Sequence, residues 1–259
     1  MGRASLWSVA LGALWFVLCM LALTAGYHRL FAHPTYRASG VVRFLGLLFG
    51  AGSAQASALL WASDHRVHHA RIDEDEDPYN IRKGFWWAHM GWLLYRAPPS
   101  TFENVKDLNA DPLIRFQHRH YLAIMLLAGF ALPTAIAALW GDALGGLLLA
   151  GFLRLMVQYQ ATFCINSVAH SVGRRPYSTS VSARDSWLSA FLTMGEGYHN
   201  YHHRFPGDYR NGIRWYHFDP SKWLVWTLSK LGLAGELKRA PADMIARARA
   251  SVLREKALT

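Results

Sequence analysis

Two apolar stretches, YLAIMLLAGFALPTAIAALW at 121–140 and ALGGLLLAGFLRLMVQYQATFCI at 143–165, are separated only by Gly141 and Asp142. Each is long enough for a helix to cross a hydrocarbon layer about 30 Å thick, which needs roughly 20 residues. Because the joint between them is so short, they predict a helical hairpin across a membrane. The polar sequences before and after the hairpin should then face the same compartment.

A third apolar stretch covers residues 4–27 and follows Arg3. A signal peptide is the alternative, but the apolar run is longer than usual for one and continues into HRLFAH without a small-residue cleavage site. We therefore predict a third membrane span. Three spans would place the C-terminus in the cytoplasm and the N-terminus outside, unless a further span precedes Met1.

The composition agrees with a membrane protein that has a large polar part. Hydrophobic residues make up 52% of the 259 residues, yet the mean hydropathy is only +0.07, so apolar and polar segments must alternate. The 27 Lys and Arg outnumber the 17 Asp and Glu. Beside apolar spans, such an excess is typical of the cytoplasmic face of a membrane, and we predict no nucleic-acid partner. Cys19 and Cys164 lie in apolar runs and indicate no disulfide framework.

Histidines recur in four motifs: HRLFAH at 28–33, DHRVHH at 64–69, NSVAH at 166–170 and YHNYHH at 198–203. Helical residues three and four apart share a face, so each H-x-x-H-H can present three imidazoles in one direction. The clusters contribute more imidazoles than one tetrahedral zinc needs and suit two metal ions, with the metal left open among Zn, Cu, Fe and Ni. The nine histidines are His28, His33, His65, His68, His69, His170, His199, His202 and His203. Four others are interpreted as surface or satisfied core residues: His89, His118, His120 and His217.

The segment at 41–61 could span a membrane by length but contains Arg43 and Gln55. A crossing there would separate HRLFAH from DHRVHH, so we predict an interfacial or re-entrant helix. Residues 62–119 and 166–259 should form a polar cap, and the whole chain, 1–259, one domain. The run DEDED at 73–77 is interpreted as a solvated acidic loop.

The four histidine motifs, in this order, resemble those of the membrane fatty-acyl desaturases of the stearoyl-CoA or acyl-CoA delta-9 type, and we expect the bacterial form. The last motif resembles the family over the longer stretch GEGYHNYHHRFPGDYR at 195–210. Two linking segments add to the resemblance: EDPYNIRKGFWWAHMGWLL at 76–94 and NVKDLNADPL at 104–113. It extends from about residue 24 to about residue 240. It implies an all-α membrane protein with few spans, three here against four in the family, capped by a cytoplasmic helical domain that holds a His-rich di-metal site.

The resemblance implies that the nine histidines hold two iron ions, with Asn166 reaching one of them through a water. With O2 as co-substrate, the implied reaction inserts a cis double bond, at carbon 9, into a saturated long-chain acyl thioester or lipid. Another membrane di-iron enzyme, a hydroxylase of lipids or alkanes, uses the same ligands and is the alternative. A metal carrier is a more distant one, because transport needs ligands through the membrane, whereas these clusters can all lie on one side.

Further residues are assigned around this site. Asp64 and Glu196 adjoin ligand histidines and are expected to accept hydrogen bonds from their outer ring nitrogens. By resemblance, Tyr159 and Phe163 line the acyl chain, and Arg82 and Lys83 hold the phosphates of CoA.

Two further residues bear on this assignment. Ser63 stands where animal relatives have an arginine on CoA, which leaves acyl-ACP or a membrane lipid as alternative substrates. Arg154, near the middle of a span where a charge is costly, has no assigned role.

The resemblance also implies partners and a location. The chain has no haem-binding H-P-G-G motif and no ferredoxin-like segment, so electrons should come from a separate ferredoxin, rubredoxin or cytochrome b5 type of carrier and its reductase. We expect an integral protein of the bacterial inner membrane with its active site on the cytoplasmic side.

Overall fold

The computed structural model describes residues 5–95 and 101–258. Their contacts form two compact units. The span unit comprises residues 5–31, 40–63 and 101–160, and the histidine unit comprises residues 32–39, 64–95 and 161–258. The single-domain interpretation stays a prediction.

Helices dominate both units. In chain order the α-helices are Leu6–Leu21, Gly40–Gly52, Ala58–Ala70, Phe85–His89, Lys106–Asn109, Pro112–Arg119, Tyr121–Leu126, Leu132–Ala138, Ala143–Gly145, Arg154–Asn166, Val168–Ser171, Trp187–Leu192, His199–Arg204, Pro220–Lys230 and Ala242–Ala257. Short 3₁₀ turns cover Ile81–Lys83, Gly91–Leu94 and Glu103–Val105, and π-helical segments cover Ala22–Ala32, Leu127–Ala131 and Gly146–Leu153. Two strands, Arg37–Ala38 and Ala234–Gly235, pair antiparallel.

Three continuous helices are long and apolar enough to cross a membrane: Leu6–Ala32, Tyr121–Ala138 and Ala143–Ser171. The predicted class, an all-α membrane protein with three spans, is confirmed. The first and third helices extend further than the apolar runs alone indicated, past residues 27 and 165. His28 and His170 therefore lie within the ends of long helices rather than in the loops that follow them.

Asp142 organises the turn of the predicted hairpin. Its carboxylate accepts a hydrogen bond from the backbone N–H of Gly145 at 3.0 Å, which caps the returning helix. The same side chain accepts from the Ser5 N–H at 3.1 Å and the Ser8 hydroxyl at 2.5 Å. These bonds lower the pKa of the Asp142 carboxyl. One acidic residue thus ties the start of the first span to the hairpin turn.

The prediction of one helix over residues 41–61 is wrong, because the structure has two helices in this region. The helix Gly40–Gly52 has only 13 residues, about 20 Å at 1.5 Å per residue and too short to cross a bilayer. The chain then breaks, with positive φ angles at Ala54 and Ala56, before the helix Ala58–Ala70 begins. The second helix carries the DHRVHH motif, while an interfacial or re-entrant position for the first stays a prediction.

Small residues let the helices of the span unit approach closely. A Cβ on Gly12 would lie 3.2 Å from the Leu149 carbonyl oxygen, and one on Gly26 would lie 3.5 Å from the Cα of Gly46. Such contacts are typical of membrane helices, whose association depends on close packing rather than on the hydrophobic effect. The core beside them contains Leu11, Trp15, Cys19, Ala137 and Ala150.

Arg154, which had no role from sequence, is buried inside the span unit with 3% of its surface exposed. Its guanidinium donates to the carbonyl oxygens of Gly52 at 2.9 Å, Gly129 at 2.8 Å and Ala150 at 3.0 Å, and to the Gln158 side chain at 3.1 Å. Gly129 and Ala150 belong to π-helical segments. Irregular helical turns inside a membrane need a replacement donor, and Arg154 provides it.

Replacing Arg154 with methionine should lower the free energy of unfolding by about 3 kcal/mol. Three buried carbonyls lose a donor at about 1–3 kcal/mol each, partly offset because a charge is no longer buried. For a chain of this size the thermal midpoint in detergent should fall by about 6–12 °C. Arg119→Met, at an exposed position, is the control; an unchanged midpoint in Arg154→Met would contradict the assigned role.

The histidine unit is held by backbone pairing and a small aromatic core. Arg37 pairs with Gly235 and Ala38 with Ala234, and the Lys238 N–H donates to the Thr35 carbonyl at 2.9 Å. These bonds fix the segment that carries His33. The core contains Tyr177, Tyr201, Phe205 and Ala248.

Candidate metal centre

Eight of the nine predicted ligand histidines belong to the histidine unit, where their side-chain nitrogens form two groups. The first histidine group consists of His33, His65, His69 and His202, and the second of His68, His170, His199 and His203. Within each group, one nitrogen of every residue lies within 4.8 Å of the others. Within the first group, the structure therefore brings together residues that are up to 169 positions apart in the sequence (33 to 202).

The helices explain how the H-x-x-H-H motifs serve both groups. On Ala58–Ala70, His65 and His69 are four residues apart and belong to the first group, while His68 is turned to the second. On His199–Arg204, the same division places His202 in the first group and His199 and His203 in the second. Each motif is thus shared between the groups rather than serving as one set of ligands, a division that the spacing did not reveal.

The ring nitrogens of each group face one another. In the first group, His33 Nε2 lies 2.8 Å from His65 Nε2, and His69 Nε2 lies 2.9 Å from His202 Nε2.

In the second group, His203 Nε2 lies 3.1 Å from His199 Nε2 and 3.3 Å from His68 Nε2. His170 Nε2 is buried without a hydrogen-bond partner. Facing lone pairs and an orphaned nitrogen fit a cation, because a neutral imidazole offers a metal the ring nitrogen that carries no proton.

The electrostatics favour an uncharged imidazole at His203. Burial lowers the pKa of His203 well below its ordinary value, and the neighbouring histidines, His69 and His199 first among them, lower it further. Neutral imidazole is the form that binds a metal. His203 is therefore kept in the uncharged state that a metal ligand requires.

Comparison with known proteins agrees with this arrangement. The sequence model of the family described as "Fatty acid desaturase" matches residues 5–233. The chain belongs to this family. The resemblance to the membrane fatty-acyl desaturases, predicted from the histidine motifs, is thereby confirmed.

Individual relatives are similar over most of the chain. It is 46% identical over 228 residues to "Acyl-CoA desaturase 1" of Saccharomyces cerevisiae, covering 87% of this chain and 45% of the yeast protein. It is 45% identical to "Probable acyl-CoA desaturase" of Schizosaccharomyces pombe, with 87% and 48% covered, and 39% identical to "Stearoyl-CoA desaturase 5" of Bos taurus, with 89% and 71% covered. The chain spans about half the length of the two yeast relatives. These relatives are eukaryotic, and the bacterial type stays a prediction.

The acidic run 73–77 departs from the predicted solvated loop. Glu74, Asp75 and Glu76 are exposed, but Asp73 and Asp77 are buried. Asp77 Oδ1 accepts a hydrogen bond from His68 Nδ1 at 2.8 Å. The interpretation was wrong for both ends of the run, because a continuous acidic sequence does not reveal which carboxylates a turn directs inward.

The two carboxylates predicted to support ligand histidines have different surroundings. Glu196 is buried and accepts a hydrogen bond from Asn211 Nδ2 at 2.7 Å. Asp64 is half-buried on the helix that carries His65. Their support of ligand histidines stays a prediction, whereas Asp77 contacts a group member directly.

Two more predicted metal-site residues are His28 and Asn166. His28 belongs to the span unit, on the π-helical segment Ala22–Ala32, where it is buried with its ring 6.1 Å from that of Trp61. Asn166 is the half-buried last residue of the helix Arg154–Asn166. Both stay predicted, His28 as a ligand and Asn166 as a contact through water.

The predicted substrate residues are in varied environments. The Tyr159 hydroxyl donates to the Ala54 carbonyl at 2.8 Å. Phe163 is buried, with its ring 5.7 Å from that of His89. Arg82 and Lys83 are exposed, and the Lys83 ammonium donates to the Asp75 carbonyl at 3.0 Å.

His89 is a satisfied core histidine. It is buried, and its Nδ1 lies 2.8 Å from the Ser167 hydroxyl.

Proposed function

We propose that this chain is an O2-dependent di-iron fatty-acyl desaturase that introduces a cis double bond, at carbon 9, into a saturated long-chain acyl group. The observation that carries the proposal is the pair of histidine groups. Among the described residues, both groups consist of histidines alone, with no carboxylate among the candidate ligands. Membership of the desaturase family and relatives named acyl-CoA and stearoyl-CoA desaturases support the same reaction.

Removing hydrogens from an unactivated methylene needs an oxidant that no side chain can supply. Two iron ions bound by the histidine groups would supply that oxidising power together with O2 and two electrons. In the balanced reaction, –CH2–CH2– becomes –CH=CH–, and the two hydrogens it loses combine with O2, two electrons and two protons to give two waters.

The residues of the chain contribute binding, orientation and exclusion of water. His68, His170 and His199 are almost fully buried and His203 is half-buried, so the fold would limit the access of water to the second group, as an oxidation of this kind requires. We propose that His28 completes the first group and that Asn166 holds a water beside one metal.

For the substrate we propose an acyl-CoA, as the names of the relatives indicate. Arg82 and Lys83 are exposed cations suited to the phosphates of CoA, and Tyr159 and Phe163 would line the acyl chain. Ser63 would not contact a phosphate in place of the arginine that the resemblance implies there, because its buried hydroxyl donates to Asn104 at 2.9 Å. Acyl-ACP and acyl-lipid are therefore tested beside acyl-CoA.

We also propose the surroundings in which the reaction takes place. Electrons would come from a ferredoxin, rubredoxin or cytochrome b5 type of donor and its reductase. Three candidate spans support an integral membrane protein, and we propose a bacterial inner membrane with the histidine groups on the cytoplasmic side.

The decisive experiment is expression in a host whose lipids contain few unsaturated acyl chains, followed by mass spectrometry of the fatty acids. A cis monoene with its double bond at carbon 9 is the expected product. Hydroxylated fatty acids would instead favour the lipid hydroxylase. An unchanged profile, with the protein present in the membrane and an electron donor co-expressed, would contradict both oxidase assignments and leave the metal carrier.

A further inference from the structure

The acidic segment, residues 73–77, has its two ends buried and its middle exposed. Asp73 and Asp77 have 6% and 2% of their surface exposed. The ends also contact each other, because the Asp73 backbone N–H donates to Asp77 Oδ2 at 3.1 Å. The segment is therefore a closed turn that directs two carboxylates into the histidine unit.

Asp77 determines the tautomer of His68. The two side chains are 2% and 3% exposed and meet through Asp77 Oδ1 and His68 Nδ1 at 2.8 Å. An ionised carboxylate only accepts hydrogen bonds, so Nδ1 must carry the proton. In the neutral ring, the lone pair is then on Nε2, the atom that lies 3.3 Å from His203 Nε2.

Asp73 acts on His170 through Ser182. The Ser182 hydroxyl donates to Asp73 Oδ1 at 2.5 Å, and the Ser182 N–H donates to Asp73 Oδ2 at 2.8 Å. A hydroxyl has one hydrogen, so it can only accept from His170 Nδ1, which lies 2.7 Å away. The proton of His170 is thus on Nδ1, and the lone pair is on Nε2, the buried nitrogen that has no hydrogen-bond partner.

We propose that Asp73 and Asp77 are positioning residues of the second histidine group, each holding one ligand histidine as the Nδ1–H tautomer with Nε2 directed at the metal. The proposal rests on the proposed function, since it assumes that the groups hold metal ions. Both carboxylates come from one turn, and both act on members of the same group. Carboxylates that orient metal-bound histidines in this way change metal affinity by about 10–100-fold.

The choice of variants follows from the geometry. Asp77→Asn leaves the side chain almost the same size, but its amide can donate to His68 Nδ1 and so favour the wrong tautomer. Asp73 has a φ of 65°, a conformation that Asn also tolerates, so Asp73→Asn does not add backbone strain. Ser182→Ala removes the hydroxyl that connects Asp73 to His170, and Ser182→Thr restores a hydroxyl. Asp75→Asn, at an exposed position of the same turn, is the matched control.

The test is titration of the full chain in detergent with Co²⁺ after removal of bound metal, followed by the visible absorption of the bound ion and by metal analysis. Wild type and Asp75→Asn should bind two ions. In Asp77→Asn, Asp73→Asn and Ser182→Ala, one of the two affinities should fall about 10–100-fold while the other is unchanged. Ser182→Thr should recover the lost affinity, which a merely structural defect would not predict.

Two results would overturn the proposal: wild-type affinity at both sites in all three variants, or an equal loss at both sites. Failure of the proposed function is distinguishable from either, because wild type itself would then bind fewer than two ions. The spectrum of the unaffected ion also reports whether each variant is folded.

Discussion

Replacing His203 by alanine should abolish the proposed desaturation and leave at most one metal ion per chain. Its Nε2 lies 3.1 Å from His199 Nε2 and 3.3 Å from His68 Nε2, and its ring stacks on that of His69 with centroids 4.2 Å apart. Loss of this ring removes a candidate ligand of the second group and a packing partner of the first. Residues that only orient a metal ligand change activity by up to about 100-fold. Loss of a ligand itself should therefore lower activity by at least about 100-fold.

The measurements are metal content of protein purified without oxygen and the fatty-acid profile of the expressing host. His120→Ala is the matched control, because His120 lies at the exposed end of the helix Pro112–Arg119 and belongs to neither group. It should keep both metal content and product. A His203→Ala protein with two ions and normal product would refute the assignment of the second group.

Replacing Gly197 by alanine should have the largest effect on the stability of the histidine unit. A Cβ there would lie 2.1 Å from the backbone nitrogen of Ala190 and 2.2 Å from the carbonyl carbon of Ser189. Backbone atoms cannot rotate away as a side chain can, so the chain must shift. Overpacking usually costs about 1–3 kcal/mol, and we expect about 3 kcal/mol or more here.

The shift should also reach the metal centre. Gly197 directly precedes Tyr198, the residue at which the helix His199–Arg204 starts, and its carbonyl accepts a hydrogen bond from the Ser186 N–H at 2.9 Å. Thermal unfolding and metal content should therefore fall together. Gly207→Ala is the control, since its Cβ would meet nothing within 4 Å. Equal midpoints for the two variants would show that the contact at Gly197 is not tight.

Much of the site could be predicted because it depends on local geometry. The helical period of 3.6 residues places the histidines of DHRVHH on one side of a helix, and the helix Ala58–Ala70 is observed there. The three spans could be predicted from the lengths of the apolar stretches, because the thickness of a bilayer sets the length of a helix that crosses it. The break at Ala54 and Ala56 was missed because positive φ angles are uncommon at alanine and are not indicated by the local sequence.

Other roles depended on contacts between distant parts of the chain. Arg154 could be recognised as unusual, but its carbonyl partners come from helices 25 and 102 residues away. All five residues of DEDED are acidic, but Asp73 and Asp77 are buried and the three between them are exposed. Only the folded turn distinguishes the buried carboxylates from the exposed ones. Ser182 belongs to no sequence motif, because its proposed role depends only on its hydrogen bonds with Asp73 and His170.

The sequence by itself determined that this protein is a membrane-spanning helical chain with histidines in the order and spacing of the desaturases, because spans and helix faces follow from local length and period. Only the tertiary structure decided how the histidines divide into two groups and which carboxylates orient them. The physical reason is that ligand grouping and tautomers are set by nitrogen and oxygen atoms meeting at about 3 Å, from segments as far apart as His69 and His202.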